Sequence, residues 1–262
     1  VCVGIDPHDW LLERWELDVS AAGAREFGLR VVDAVAGRAG IVKPQVSFFE
    51  RFGSSGFQAL ERVLAEARAA GLVIIGDAKR GDIGTTMDAY ASAWLQPGSP
   101  LEVDALTVAP YLGLGSLAGT VERARAYGKG LFVLAATSNP EAAGLQQAYR
   151  ADVERSVAAS ILGGVAHWND DFEVMGSFGV VLGATLSLRE FGIPTDSELT
   201  PVLPILAPGF GAQGAEFAQM SGIFGALAKG VIVSESRSLL ELGPLGLVEA
   251  LERRRDEIAR YA

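Results

Sequence analysis

The sequence predicts an α/β fold, a closed (β/α)8 barrel of the TIM type, on the basis of three observations. The chain has 262 residues, close to the roughly 250 that such a barrel typically needs. Eight short apolar runs alternate with longer amphipathic segments. Several of these runs lack polar alternation, as expected for parallel strands that are buried on both faces. An open, doubly wound sheet is the alternative, but eight strand-then-helix units favour closure into a barrel.

The predicted strands are the short runs rich in Val, Ile and Leu, bounded by turn residues. They are Val1–Ile5, Gly40–Lys43, Leu72–Asp77, Ala105–Val108, Leu131–Ala135, Gly179–Gly183, Val202–Leu206 and Val231–Ser234. The predicted helices have apolar residues at helical spacing. They span about Ala21–Ala39, Gly56–Ala70, Thr85–Leu95, Ser116–Tyr127, Gln147–Trp168, Ser187–Phe191, Gln219–Ala228 and Pro244–Arg260. Neither a linker nor a change in composition divides the chain, so we expect one domain over residues 1–262.

Composition restricts the classes of partner. The net charge of −10, with only 22 Lys and Arg residues, argues against the clustered basic surface of a nucleic-acid-binding protein. No run reaches the roughly 18 to 20 apolar residues of a membrane-spanning helix. Cys2 is the only cysteine, which excludes an intrachain disulfide and fits a reducing, cytoplasmic location. His8 and His167 show no metal-ligand spacing, so no metal site is predicted.

Charged residues gather where the third predicted strand ends. Asp77 and Lys79 are two residues apart and therefore point to the same face of a strand, and Asp82 follows on the next turn. Lys43 ends the neighbouring second strand. These four groups could form an alternating array of charges, in which one pair about 4 Å apart interacts by roughly 4 kcal/mol at an effective dielectric constant near 20.

Such an array suits a reaction in which negative charge develops on carbon. A fixed, protonated lysine such as Lys79 can stabilise a carbanion and then donate a proton to it. A carboxylate such as Asp77, placed beside a carboxylate of the substrate, would raise the energy of the ground state and favour the loss of CO₂. A purely structural network of ion pairs in the mouth of the barrel is the alternative.

A phosphate site is predicted after the last two strands. The glycine-rich segment Ala207–Gly214 follows the seventh strand, and its backbone N–H groups could converge on an anion. Arg237 follows the eighth strand, and a guanidinium group can bind phosphate through two hydrogen bonds. Loops at these two positions commonly hold phosphate in such barrels.

Other polar residues at strand exits are open to two interpretations. Asp6 could bind a sugar hydroxyl group or cap a turn, and Ser138 could cap a helix or bind a ligand. Thr85 and Thr86 lie where the third helix should begin, so N-capping is their default role. The prolines that follow most strands indicate turns rather than chemistry.

Together these residues resemble the orotidine 5′-phosphate decarboxylase family, in its longer-chain bacterial branch. The stretch Asp77-Ala78-Lys79-Arg80-Gly81-Asp82-Ile83 is similar to the family's D-x-K-x-x-D-I signature. Val42-Lys43-Pro44-Gln45, Ala207–Gly214 and Arg237 occur in the order that the family shows. The resemblance extends over essentially the whole chain, from Asp6 to Arg237. It departs at Ser234-Glu235-Ser236, where many relatives carry a glycine before the arginine.

The resemblance implies a decarboxylation of orotidine 5′-monophosphate to uridine 5′-monophosphate without cofactor or metal, the last step of de novo pyrimidine synthesis. It implies that Lys79 protonates C6 and that Asp77 lies against the leaving carboxylate. Lys43 and Asp82 would complete the charge array, with Asp82 and Thr86 acting across a homodimer interface. Ligand roles are implied for the remaining candidates: Asp6 with ribose, Ser138 with the pyrimidine amide, and Pro208, Gln213 and Arg237 at the phosphate end.

Two other functions fit the same residues. The chain could be a metal-dependent decarboxylase or lyase of the same superfamily that acts on a sugar phosphate. A non-catalytic barrel that binds nucleotides is the second alternative, although a binding module has no need of the charge array. Activity that depends on a metal would distinguish the first alternative from orotidine 5′-phosphate decarboxylation. Tight binding of a uridine monophosphate analogue without any turnover would indicate the second.

Overall fold

The computed structural model describes residues 1–260, and eight parallel strands form a closed barrel at its centre. The barrel strands are β1 (Cys2–Ile5), β2 (Ile41–Pro44), β3 (Val73–Arg80), β4 (Ala105–Val108), β5 (Gly130–Ala136), β8 (Phe178–Leu182), β9 (Ile205–Pro208) and β10 (Val231–Glu235). Two further strands, β6 (Tyr149–Arg150) and β7 (Arg155–Ser156), pair with each other in an antiparallel hairpin. Barrel strands that follow one another in sequence are neighbours, and β10 pairs with β1 to close the circle. The predicted (β/α)8 barrel is confirmed.

Helices connect the strands and pack around the outside of the barrel. The α-helices are α1 (Asp9–Arg14), α2 (Ala21–Val35), α3 (Ser47–Glu50), α4 (Gly53–Ala69), α5 (Gly84–Leu95), α6 (Ala118–Ala126), α7 (Ala143–Gln146), α8 (Val157–His167), α9 (Met220–Phe224), α10 (Arg237–Leu240) and α11 (Gly243–Ile258). Four 3₁₀ segments span Leu114–Leu117, Pro140–Ala142, Phe217–Gln219 and Gly225–Gly230. No helix within residues 1–260 is long and apolar enough to cross a bilayer. Residues 261 and 262 of the predicted domain lie outside the described residues.

Each of the eight predicted strands overlaps a barrel strand, although Val202–Leu206 shares only residues 205 and 206 with β9. One predicted helix is wrong throughout, and another is wrong in its first part. Ser187–Phe191 forms turns, because the segment runs into Gly192 at φ +66° and Pro194 before a helix can propagate. The first part of Gln147–Trp168 forms the β6–β7 hairpin instead. Helix α8 begins only after Ser156, whose side chain accepts a hydrogen bond from the backbone N–H of Ala159 at 3.0 Å.

The alternation of side chains along the strands creates two apolar cores. Outward residues pack against the helices in one large cluster. Inward residues such as Cys2, Ile75, Phe132 and Leu206 form a smaller cluster built from strand residues alone. Burial raises the pKa of the Cys2 thiol to about 12, so this cysteine is a packing residue rather than a nucleophile.

Further along the strands, the inward positions become polar. Lys43 on β2, Asp77 on β3, Thr107 on β4 and Ser234 on β10 are all buried, and all four line one cavity. They lie at or near the carboxyl ends of their strands, the end at which a parallel barrel carries its ligand sites. The barrel therefore supplies an apolar base beneath a polar chamber.

A buried amide connects the helical layer to the barrel. Asn169, just beyond α8, donates from Nδ2 to the carbonyl oxygens of Val165 (3.2 Å) and Phe178 (2.8 Å). Its Oδ1 accepts from the backbone N–H of Phe178 at 3.0 Å. Because Phe178 begins β8, this one side chain satisfies both backbone groups of the strand's first residue.

Replacing Asn169 with Ala should lower the free energy of unfolding by about 2 to 4 kcal/mol, because buried backbone groups at Phe178 lose their partner. Urea denaturation followed by circular dichroism would measure the change. The exposed Asn139 provides a matched control, and Asn139→Ala should change the stability by no more than about 0.5 kcal/mol. Equal stability of the two variants would contradict the assigned role of Asn169.

Candidate active site

A cavity of about 300 Å³ opens at the carboxyl end of the barrel. Eight of the ten predicted site residues line it: Asp6, Lys43, Asp77, Lys79, Ser138, Pro208, Gln213 and Arg237. The barrel thus gathers residues that are up to 231 positions apart in the sequence. The two that do not line it, Asp82 and Thr86, follow β3 toward α5.

Asp77 is the centre of the charged part of the cavity. Its Oδ2 accepts a hydrogen bond from the Lys43 ammonium at 2.7 Å, and its Oδ1 accepts one from the Lys79 ammonium at 2.6 Å. The hydroxyl group of Thr107 also donates to Oδ1, at 3.0 Å. A buried carboxylate with two cations and a hydroxyl donor has its hydrogen-bonding capacity largely filled, which fixes its orientation.

The two lysines differ in their access to the cavity. The side chain of Lys43 is only 9% exposed, whereas that of Lys79 is 45% exposed. Lys43 is therefore enclosed within the cluster, whereas the ammonium group of Lys79 is accessible to a ligand in the cavity. Gln45 supports Lys79 from the β2 side, since its Oε1 accepts from the Lys79 ammonium at 3.4 Å.

The backbone at Lys79 departs from a regular strand. Lys79 has φ +49°, in the left-handed region that favours glycine, and the pairing of β3 with β4 shifts register between Gly76 and Arg80. The backbone N–H of Lys79 donates to the Thr107 hydroxyl at 2.9 Å, which holds this conformation. A conformation that costs roughly 1 to 2 kcal/mol in a non-glycine residue is typical of a functional site.

Asp77 and Lys43 keep each other ionised. Burial alone would raise the pKa of Asp77, but the nearby Lys43 and Lys79 ammonium groups more than offset it and lower that pKa well below its usual range. Burial alone would lower the pKa of Lys43, but Asp77 and then Asp6 raise it above its ordinary value. At neutral pH the cluster therefore holds an anion and, in Lys43, a cation of fixed charge.

Within one chain the predicted four-membered array has three members. Asp82 is partly exposed, and its Oδ1 accepts a hydrogen bond from the backbone N–H of the next residue, Ile83, at 2.8 Å. Thr86 lies exposed in the first turn of α5, which begins at Gly84. Both side chains lie on the surface of this chain, because β3 ends and the chain turns away before Asp82.

The opposite side of the cavity has the features expected of an anion site. Gly209, Gly211 and Gly214 have φ values of +122°, +68° and +98°, conformations that side chains disfavour. The backbone N–H of Gly211 donates to the carbonyl oxygen of Ala215 at 3.1 Å, which closes a small loop. Gln213 in this loop and Arg237 at the start of α10 are both exposed at the cavity.

An apolar wall lies between the charged cluster and the glycine loop. It is formed by Leu134, Val181 and Leu206. Such a wall can pack against a flat heterocycle while polar groups at either end fix its orientation.

Several lining residues were not among the predicted site residues: Gln45, Thr107, Thr137, Ser236 and the apolar wall. A signal existed for Thr107, which is the one polar residue in the strand Ala105–Val108 and shares an inward face with Ala105. The apolar residues gave no signal, because an apolar side chain in a strand looks the same whether it packs in a core or against a ligand. Among residues 1–260, no group of three or more His, Cys, Asp and Glu side chains is arranged to hold a metal ion.

Comparisons with known proteins place this chain in a family. The family described as "Orotidine 5'-phosphate decarboxylase / HUMPS family" matches residues 1–239. An orotidine 5′-phosphate decarboxylase from Streptomyces coelicolor is 50% identical over 245 residues, which are 93% of this chain and 86% of that protein.

Solved structures extend the comparison to the fold. A crystal structure of a candidate orotidine 5′-phosphate decarboxylase from Streptomyces avermitilis matches with a TM-score of 0.93 at 50% identity, over 100% of this chain and 90% of that one. The OMP decarboxylase of Leishmania donovani matches with a TM-score of 0.77 at 30% identity, over 99% and 92% of the two chains. The fold, the D-x-K-x-x-D segment and the sequence similarity lead to one conclusion: this chain belongs to the orotidine 5′-phosphate decarboxylase / HUMPS family.

Proposed function

We propose that this chain decarboxylates orotidine 5′-monophosphate to uridine 5′-monophosphate and CO₂, without cofactor or metal, in the last step of de novo pyrimidine synthesis. The observation that carries the proposal is the Lys43–Asp77–Lys79 cluster at one end of a cavity that ends in a glycine-rich loop and an arginine. The names of relatives that are 50% identical over most of their length support the same substrate.

The charged cluster accounts for the chemical step. The C6–carboxylate bond breaks, CO₂ leaves, and the electron pair stays on C6 of the pyrimidine ring. Asp77 lies against the leaving carboxylate, and the repulsion between two anions is relieved as CO₂ departs. Lys79 stabilises the carbanion and transfers a proton from Nζ to C6, after which its neutral amine regains a proton from water.

Lys43 is assigned to the support of this step rather than to the proton transfer. Its ammonium group is almost completely buried and holds Asp77 ionised and in place. This leaves Lys79, the exposed member of the cluster, as the group that reaches the substrate. A donor that is already oriented does not need to reorganise during the reaction, which is the main source of electrostatic catalysis.

The rest of the cavity is assigned to binding. The apolar wall packs against the pyrimidine, Ser138 contacts the pyrimidine amide, and Asp6 accepts hydrogen bonds from ribose hydroxyl groups. Pro208, Gln213 and Arg237 surround the phosphate. The phosphate lies far from C6, so its binding energy contributes to catalysis by closing and desolvating the site rather than by direct contact.

Asp82 and Thr86 are assigned to a second active site, in a homodimer whose subunits share their sites. Both side chains lie on the surface next to the charged cluster's strand, where a second copy of the chain could receive them. The proposed enzyme is cytoplasmic, in keeping with one buried, unpaired cysteine in the described chain.

Replacing Lys79 with Ala should reduce the rate of decarboxylation by at least about 10³-fold, because both the proton donor and the nearest cation are lost. Loss of the ultraviolet absorbance of orotidine 5′-monophosphate would report turnover. Lys229→Ala is the matched control, since Lys229 is exposed and pairs with Glu198 on the surface. Wild-type activity in Lys79→Ala would remove this residue as the donor, and loss of wild-type activity with a chelator would instead favour the metal-dependent sugar-phosphate enzymes.

Replacing Asp77 with Asn should lower the free energy of unfolding at pH 7 by about 3 kcal/mol, because the buried Lys43 ammonium group loses the carboxylate that it contacts directly. The pKa of Asp77 is lower in the folded chain than in the unfolded one, so its stabilisation is present above about pH 4 and is lost as the pH falls further. The stabilities of wild type and Asp77→Asn should therefore converge on acidification. Asp33→Asn, at an exposed position on α2, is the control, and a difference that stays constant below pH 4 would refute the ionised pair.

Mixing two inactive variants should test whether active sites are shared. A hybrid of Lys79→Ala with Asp82→Ala would carry both changes in one site and leave the other intact, so mixed dimers should recover up to about a quarter of wild-type activity. Lys79→Ala mixed with Asp77→Ala is the control, because both residues belong to the cluster of one chain and no intact site can form. Equal absence of activity in both mixtures would count against shared sites.

A further inference from the structure

The strand that leads into Arg237 carries a buried acid. Glu235 is the last residue of β10 and is 1% exposed, while its neighbours Ser234 and Ser236 line the cavity. The strand alternation turns the Glu235 side chain outward, into the layer between barrel and helices. Burial raises the pKa of the Glu235 carboxyl group despite its cationic partner, which reflects the cost of holding an acid at this position.

The partner of Glu235 comes from α11. Arg254 Nε donates to Glu235 Oε2 at 2.8 Å, and Arg254 Nη1 donates to Glu257 at 2.7 Å. Residue 254 lies beyond residue 239, where the match to the family ends. The ion pair therefore joins a strand inside the matched range to a helix beyond it.

The same guanidinium group also reaches the glycine-rich segment Ala207–Gly214, through the ring of Phe217. Arg254 lies 4.9 Å from the centroid of the Phe217 ring, and that ring stacks on Phe210 with a centroid distance of 5.3 Å and an interplanar angle of 3°. Phe210, which lies between Gly209 and Gly211 in the sequence, lines the cavity. We call the connected residues Glu235, Arg254, Phe217 and Phe210 the α11 relay.

The loop and the acid are packed closely enough to depend on each other. A Cβ atom added to Gly211 would lie 2.7 Å from Glu235 Oε1 and 2.5 Å from Ser238 Oγ, so the loop crosses directly over the acid and the start of α10. A displacement of Glu235 would move both the loop that carries Gln213 and the chain that carries Arg237.

We propose that Arg254 and Glu235 are positioning residues for the phosphate site, which they hold in shape through the α11 relay. This inference rests on the proposed function only in naming a nucleoside monophosphate as the ligand. Arg254 holds two elements in place. Its ion pair with Glu235 fixes the end of β10 before Arg237, and its contact with the Phe217–Phe210 ring stack fixes the glycine-rich segment. Neither residue touches the ligand, so the relay acts on how the phosphate is held and leaves the pyrimidine end unchanged.

The test compares ligands with and without the phosphate. In Arg254→Met, which keeps the unbranched stem and removes the guanidinium group, the Kd of uridine 5′-monophosphate should rise by about tenfold or more. The Kd of uridine should stay the same. Titration calorimetry would measure the nucleotide and ligand-observed NMR the nucleoside. Arg253→Met is the matched control, since Arg253 is exposed and its ion pair with Glu249 is 3.8 Å long, and it should change neither constant.

Phe217→Leu provides a second variant, because it breaks the relay at the ring stack without leaving a buried acid unpaired. Like Arg254→Met, it should raise the Kd of uridine 5′-monophosphate and leave the Kd of uridine unchanged. Nucleotide affinity that stays at the wild-type value in either folded variant, or an equal loss for both ligands, would overturn the proposal. Wild-type protein that binds the nucleotide but does not turn over orotidine 5′-monophosphate would refute the proposed function alone, without affecting this inference.

Discussion

The carboxylate of Asp77, held between two ammonium groups, is the constraint on which the active site depends. A lone anion or a lone cation at this depth would be driven to its neutral form, because burial opposes charge. Asp77 and Lys43 keep each other ionised, and the hydrogen bonds of Asp77 to both lysines fix the three side chains in space. The neutral hydroxyl group of Thr107 completes the arrangement by binding both the carboxylate and the backbone of Lys79. The cluster thus forms a unit in which each member depends on the others for its charge, its position or both.

The barrel supplies this unit through its periodicity, and that part could be predicted from the sequence. Apolar runs of the right length and spacing gave all eight strands, and the position of Lys43, Asp77 and Lys79 at strand ends gave the place where they meet. These side chains lie close together because neighbouring parallel strands of a barrel have their carboxyl ends at the same rim. The helices were less predictable. Helix α8 begins after Ser156 because the side chain of this residue caps the helix, and this local hydrogen bond outweighed the apolar pattern that begins earlier in the sequence.

What the sequence did not reveal are the contacts that depend on tertiary packing. The left-handed backbone of Lys79 contradicts the strand preference of a non-glycine residue, and the register shift against β4 and the hydrogen bond to Thr107 account for it. The α11 relay joins residues 210, 217, 235 and 254, which no periodic pattern connects. Glu235 lies in the segment Ser234-Glu235-Ser236, where the sequence departs from the family's pattern just before Arg237. The structure shows that its side chain turns away from the cavity and toward Arg254, so its negative charge lies outside the predicted phosphate site.

The seam between β1 and β10 has a consequence for the order in which the molecule becomes functional. Val3 pairs with Glu235 across this seam, and Gly4 leaves room for Ser236, whose Cβ would otherwise lie 2.6 Å from a side chain at position 4. During synthesis the lysines of β2 and β3 emerge from the ribosome well before the arginines of α10 and α11. The barrel of a nascent chain therefore stays open until β10 has been made. Ligand binding has to wait for contacts between segments that are far apart in the sequence, and such contacts form slowly.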